Sequence, residues 1–471
     1  MKKPFIYLFK TINSYYFYDV NKNETVEIDD LVYAALNKIS KSENNEILFF
    51  DKDTNEKIAQ LENNGYLSDN TVETVKHGCT DFLDYYLGRR LQKITLQLTQ
   101  NCNLRCSYCT YSDLNNIKQR SHSSKRMTFE IGKKGIDFLI ANSIDTETVN
   151  IGFYGGEPLL EFELIKKLVD YVKSEYKEKK VTYSMTTNST LLNEDNLKFL
   201  VDNDFLLMIS LDGPKNINDI NRRFAVNGNG TYDIIVNNIM LIKNKYPAYF
   251  KKISISMVIN PQYNFDDINS IFKNNNIFKD LKIQASMVDD TYSIEKSFYS
   301  DNYTEKARYN NFLSYLKYLN LFNDESKSIV DQSFARILSS NMRQKSQGLP
   351  KTTAPGGPCV PGQKRLFIDV HGNFFPCERV SEKSYVMNIG NLKEGFYIEK
   401  CSELLNIGSL TSEKCKKCWA FRGCRICAKH VDNNRELSGD MKVRHCKENI
   451  SNFKEELMVT TMLDEAKKYY Q

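Results

Sequence analysis

A chain of 471 residues with 41% hydrophobic content is long enough for two to four domains with sizeable cores. A net charge of +5 does not point to nucleic acid, and no window approaches the unbroken apolar length of a transmembrane helix. The start MKKPFIYLFKTINSYYFYDV turns polar too early for a signal peptide, so a reducing, cytoplasmic setting is expected, where twelve cysteines point to metal rather than to disulfides. The five histidines (His77, His122, His371, His430 and His445) never pair at metal-ligand spacing, which disfavours histidine-centred catalysis.

Residues 5–9 and 14–20 alternate around Asn13-Ser14 as a β-hairpin does, a strand is expected at Thr25–Ile28, and a helical pattern runs from Ile28 to Ile39. A strand at Ile47–Phe50 and a helix near Asn55–Asn63 complete a small α+β unit that resembles a winged helix-turn-helix. Asp29, Asp30, Glu43, Glu46, Asp51, Asp53 and Glu56 make it acidic in patches, without a basic recognition stripe. An exposed strand edge beside a helix suits capture of an extended peptide by strand addition; a purely structural cap is the alternative. Cys79, in the following linker, reads as an ordinary small buried residue.

From Gln92 to about Val288, β-rich runs recur at 93–98, 149–154, 181–187, 206–211, 251–257 and 281–287, with helical patterns at Thr128–Asn142, Leu160–Glu178 and Asn193–Asn203 between some of them. Six strand–helix repeats predict a parallel sheet closed into a full or partial barrel, whose active site lies in the loops after the strands. Directly after the first strand comes LTQNCNLRCSYCTYSD, with Cys102, Cys106 and Cys109. Three thiolates at this spacing can hold three irons of a cubane cluster and leave the fourth open, with Tyr108 packed over them; a zinc knuckle is the alternative, although no histidine lies nearby to complete it.

Gly155-Gly156-Glu157-Pro158 follows the second strand, where glycines let a ligand approach the backbone and Glu157 suits a cationic amine; a plain Gly-Pro turn is the alternative. Thr186, Thr187 and Asn188 after the third strand, and Ser210 and Asp212 after the fourth, suit ligand hydroxyls or a carboxylate. Arg222 and Arg223 are candidates for a carboxylate clamp, or for a solvated helix face. Residues 301–350 are polar and helix-like.

A second cysteine region opens at Cys359. RLFIDVHGNFFPC reads as a hairpin turning at His371-Gly372-Asn373, which brings Cys377 back towards Cys359. Cys415, Cys418, Cys424, Cys427 and Cys446 follow. Seven thiols are too many for one metal and nearly enough for two clusters, the alternative being a pair of zinc sites.

The CxxxCxxC stretch after the first strand and GGEP after the second resemble the radical S-adenosylmethionine superfamily, and the later cysteines are similar to its SPASM extension. The N-terminal unit resembles the leader-peptide recognition element of peptide-modifying members, and the whole is similar to thioether-forming maturases, the sactipeptide and ranthipeptide synthases, including those of six-cysteine peptides. The resemblance implies an α/β fold with four parts: a winged-helix-like recognition element and linker over 1–88, a partial (β/α)6 TIM-like barrel over 89–300, a helical bridge over 301–357 and an iron–sulfur SPASM domain over 358–471.

It also implies three [4Fe–4S] clusters and S-adenosylmethionine. Cys102, Cys106 and Cys109 would hold the cofactor-cleaving cluster; Gly155, Gly156 and Glu157 would bind the cofactor's amino group. Asn188 and Ser210 would meet its ribose or carboxylate, with Arg222 or Arg223 adding a carboxylate contact. Cys415, Cys418, Cys424 and Cys446 would hold the outer auxiliary cluster, and Cys359, Cys377 and Cys427 the inner one. Two residues separate Cys424 from Cys427 where the family pattern usually has three, and the inner set is one cysteine short unless Cys401 joins it. An open inner iron suits a substrate cysteine thiolate, attacked by a carbon radical that the 5′-deoxyadenosyl radical has made, to give a thioether. Expected partners are a precursor peptide, its leader on the N-terminal unit and its cysteine-rich core at the barrel, and a reductant such as flavodoxin or ferredoxin, with no nucleic acid and no membrane. A different SPASM product (a C–C crosslink or the formylglycine of a sulfatase) and a non-enzymatic DNA-binding regulator are the alternatives.

Overall fold

The chain was analysed as a computed structural model that describes residues 3–42, 48–111, 119–274, 276–294, 296–324, 326–341, 346, 348–356 and 358–470. Strands β1 (Ile6–Lys10), β2 (Tyr15–Asp19) and β3 (Glu24–Ile28) form an antiparallel sheet in that order. Helices Asp30–Lys41 and Lys52–Asn63 follow, each started by an aspartate whose carboxylate accepts a backbone N–H: Asp29 from Val32 at 2.8 Å and Asp51 from Thr54 at 2.9 Å. These caps move both helix starts from the expected Ile28 and Asn55. Ile47, where a fourth strand was expected to begin, lies outside the described residues together with Glu43 and Glu46, and 48–50 is irregular.

Alternation along β2 divides this sheet's burial between two cores. Phe17 packs with Val32, Leu36, Ile39 and Ile58, whereas Tyr16 and Tyr18 join Phe9 and Val20 on Phe421, Phe453 and Leu457 of the chain's far end. There Tyr7 stacks on Trp419 with ring centroids 3.8 Å apart, and Arg422 donates to the carbonyls of Val20 and Asn21. Strand β4 (Thr74–Val75) then pairs with β11 (Thr352–Thr353).

Six parallel strands form the centre: β5 (Lys93–Thr99), β6 (Thr148–Gly155), β7 (Lys180–Thr187), β8 (Leu206–Ser210), β9 (Ser254–Ile259) and β10 (Lys282–Met287), side by side in that order. Ile94, Leu96, Ile151, Phe153, Met185, Leu207 and Ile255 lie in one core with residues of the crossover helices, such as Ile136, Leu168 and Ile239. This is the partial-barrel arrangement expected. The fifth strand starts at Ser254 rather than 251, because the chain turns at 249–252, where the Lys252 N–H donates to the Tyr249 carbonyl.

β12 (Leu366–Ile368) pairs in parallel with β5, so the cysteine-rich region extends the barrel sheet. β13 (Asn373–Phe375), β14 (Gly390–Asn391) and β15 (Gly395–Phe396) continue it antiparallel. The expected hairpin is present: Phe367 faces Phe375, and Asp369 accepts the N–H groups of His371 and Asn373. Helices occupy Asp301–Tyr318 and Asp331–Asn341, and a helix that the sequence reading did not assign, Gly439–Tyr470, ends the described chain. Among the described residues, no helix is long and apolar enough to cross a membrane.

Candidate active site

The loop leaving β5 carries Cys102, Cys106 and Cys109 and is clasped from two sides. From β6, the N–H of Gly156 donates to the Thr99 carbonyl at 2.9 Å and that of Glu157 to the Asn101 carbonyl at 3.0 Å. A Cβ on Gly156 would stand 2.1 Å from the Asn101 oxygen, so only glycine lets the two segments meet. From the other side, Arg105 and Ser107 donate backbone N–H groups to the Arg223 and Asn221 carbonyls, and Ala225 to that of Asn103.

Donors point at the sulfurs. The Leu104 N–H lies 3.3 Å from Cys102 Sγ and the Tyr111 N–H 3.5 Å from Cys109 Sγ; Asn188 Nδ2 is 3.8 Å from Cys102 Sγ, and an Arg222 guanidinium nitrogen is 3.9 Å from Cys106 Sγ. Burial pushes all three thiols up, Cys106 to about 12. Thiolates there need a positive group in contact, which iron supplies. Among the described residues, no three His, Cys, Asp or Glu side chains are arranged to hold a single metal ion.

Glu157 is buried and its carboxylate turns inward, accepting from the Leu159 N–H (3.0 Å), the Thr187 hydroxyl (2.6 Å) and the Asn188 N–H (2.8 Å). Burial still raises its pKa, against the lowering effect of those bonds. The GGEP motif thus ties the cysteine loop to the end of β7, a part that the sequence did not assign to it. Asn188 is locked by Asn103 Oδ1 and by Thr190, and Ser210 closes β8, 9% exposed.

The two arginines separate. Arg222 is buried, 3.1 Å from Asp212, whose other oxygen accepts from the Tyr108 hydroxyl, and its guanidinium lies 5.7 Å from the Tyr108 ring centroid. Arg223 is exposed, with Nε on the Asp219 carbonyl. Tyr108 therefore belongs to a buried Asp212–Arg222 group beside Cys106. A further buried pair, Arg120 with Glu382, joins the segment after the cysteine loop to the β13–β14 connection and takes in Gln97. Partners 262 residues apart left no local signal for it.

Cys415, Cys418, Cys424 and Cys446 all line one cavity of about 300 Å³, closed by Trp419, Phe421 and Ile426. Into the same cavity projects Lys442, 1% exposed, with Nζ 3.2 Å from Cys415 Sγ and 2.7 Å from the Thr411 hydroxyl and no carboxylate partner among the described residues. A buried cation facing four thiols fits the net negative charge of a cluster held by thiolates. Its place four residues before Cys446 on one helix was the available clue. Burial, the largest cause, raises the pKa of Cys359 and Cys377, and Cys427 stands close enough to add to the rise at both, after Glu378 at Cys377. Cys401 is fully buried in the core of helix Ile398–Leu405, and burial alone pushes its thiol up to about 12; no other cysteine contributes. Cys79 packs at the edge of the same core.

The profile of the Radical SAM superfamily matches residues 96–274. The cysteine-type anaerobic sulfatase-maturating enzyme of Clostridium perfringens is 30% identical over 344 residues, 70% of this chain and 87% of that protein. The radical SAM cyclopropyl synthase TigE of Paramaledivibacter caminithermalis is 24% identical over 242 residues, 47% of this chain and 50% of that protein. Among solved structures, native anSMEcpe with bound AdoMet and a peptide matches with a TM-score of 0.58 at 23% identity, over 81% of this chain and 99% of that one, a likeness of fold.

Proposed function

The chain belongs to the radical SAM superfamily, among its peptide and protein maturases, and on that premise we propose that it joins cysteine sulfur to carbon in a ribosomally made precursor peptide. Cys102, Cys106 and Cys109 would hold the cluster that meets S-adenosylmethionine, Cys415, Cys418, Cys424 and Cys446 an outer auxiliary cluster, and Cys359, Cys377 and Cys427 an inner one. When bound, the first cluster and S-adenosylmethionine supply a 5′-deoxyadenosyl radical able to remove hydrogen from an unactivated carbon. The carrying observation is Cys401: sealed in the core, it leaves the inner set at three cysteines, with a coordination position for a substrate sulfur.

The protein's own groups do the rest. The GGEP clasp fixes the cysteine loop, Asn188, Ser210 and Arg222 line the approach to it, and Arg222 offsets negative charge at Cys106. Among the described residues β3 pairs on one side alone, which supports an edge for the leader peptide. A flavodoxin or ferredoxin would deliver electrons.

The identity with a cysteine-type sulfatase maturase favours a second reading, oxidation of a protein cysteine to formylglycine. Anaerobic reaction with the co-encoded cysteine-containing peptide, followed by intact-mass analysis, separates them. Crosslinking removes two hydrogens per bond, keeps the sulfur and blocks alkylation; formylglycine formation loses the sulfur and leaves an aldehyde that hydroxylamine traps. An unchanged mass with alkylatable cysteines overturns both.

A further inference from the structure

The barrel sheet backs a chamber whose lining mixes apolar side chains such as Tyr154, Leu207 and Met208 with polar ones. Thr95, Ser184, Ser254 and Ser256 are among the polar ones, and the chamber, of about 590 Å³, is one-sided in charge. Lys93, Arg336, Arg365 and Arg379 face it, with Lys251 and Lys252 in the turn before β9 and Lys282 at the start of β10, against one carboxylate, Glu378. Glu378 is already taken, 3.0 Å from Arg365 and 3.9 Å from Arg379.

Lys93 is the built part of this pole. Its chain crosses Gly152 of β6, where a Cβ would stand 3.0 Å from Cε, and Nζ donates to Ser184 Oγ on β7 at 3.0 Å. The Ser184 hydroxyl in turn donates to Asn150 Oδ1 at 2.7 Å. The ammonium is held by one neutral partner, has no ion pair among the described residues, and keeps two hydrogens for a guest. Burial lowers its pKa, against the weaker raising effect of Glu378. A chamber walled by protein and lined by one sign of charge focuses that field on whatever enters. The pole also adjoins the inner thiols, since Glu378 directly follows Cys377.

We propose that this pole receives a carboxylate of the peptide being modified, so that substrates carry an acidic group close to the reacting cysteine. This rests on the peptide-maturase reading above. The carboxylate has two sources, an Asp or Glu side chain or the peptide's C-terminus.

Binding is measured calorimetrically on the anaerobically reconstituted holoenzyme with S-adenosylmethionine, using N-acetyl-triglutamate amide, N-acetyl-triglutamine free acid and N-acetyl-triglutamine amide. At least one carboxylate probe is expected to bind about tenfold tighter than the neutral amide, a difference of about 1.4 kcal/mol. Preference for the triglutamate amide assigns the pole to side chains, preference for the free acid to a C-terminus. In Lys93→Gln that advantage should fall to about threefold or less. If Lys93→Gln fails to take up iron, Arg379→Gln, at an exposed position, carries the test with the same expected loss. Equal binding of all three probes, or a preference that survives in the variant tested, overturns the proposal. Intact-mass analysis of the peptide after anaerobic reaction is run separately, so loss of the maturase reading would be seen independently of probe binding.

Discussion

Gly156→Ala is expected to abolish reductive cleavage of S-adenosylmethionine and to remove one cluster's worth of iron, leaving the auxiliary sites loaded. The new methyl would stand 2.1 Å from the Asn101 carbonyl oxygen and 3.1 Å from Cys102 Cβ. The oxygen it meets is backbone and accepts the Glu157 N–H, so relief requires the cysteine loop to leave β6. Loss of contact by even about 1 Å costs on the order of a hundredfold in a positioned reaction, and here the displaced groups are themselves the candidate cluster ligands. Iron and sulfide analysis with 5′-deoxyadenosine release under dithionite checks it. Wild-type release by Gly156→Ala would show that the clasp does not position the reacting centre.

The second large effect contrasts neighbouring arginines. Arg222→Met leaves the Asp212 carboxylate, 0% exposed, without its cation, and breaking a buried pair from one side costs about 3–5 kcal/mol. Tyr108, which donates to the same carboxylate, loses its anchor beside Cys106, so cluster retention falls with stability. Arg223→Met removes an exposed side chain that donates to the Asp219 carbonyl, and stays within about 0.5 kcal/mol of the parent. Anaerobic urea titrations of both variants read the difference. Equal midpoints would refute the division of labour between the two residues.

What the sequence disclosed follows the range over which each feature is encoded. The thiol triad lies within eight residues and the barrel strands are short apolar runs, so both are local patterns. The strand at Ser254–Ile259 begins three residues later than expected because the turn at 249–252 depends on a backbone bond that no residue type announces. GGEP was legible as a motif, but its glycines were assigned to a ligand, whereas their first duty is the approach of a loop folded from fifty residues earlier. Arg120 with Glu382, and Lys93 over Gly152, are created by the sheet itself. In the one-dimensional text Lys93 is merely a lysine at a strand start. Helix 439–470 buries Lys442, Glu456, Thr460 and Thr461 beside Phe453 and Leu457, and polar burial hides the apolar stripe by which helices are found.

The stacking of Tyr7 on Trp419 has a consequence for biogenesis. Phe9, Tyr16, Tyr18 and Val20 leave the ribosome about 400 residues before the surface that covers them, Phe421, Phe453 and Leu457. The β1–β3 unit must wait for those residues before its second face is sheltered, and contacts of this sequence separation form late. Because the same shelter contains Cys415 beside Trp419, loading of the proposed outer cluster and covering of the β1–β3 unit would be one event. Nascent chains arrested near residue 400 should therefore be cut by protease within β1–β3, and full-length chains loaded with iron should resist; equal resistance would show that the unit matures alone.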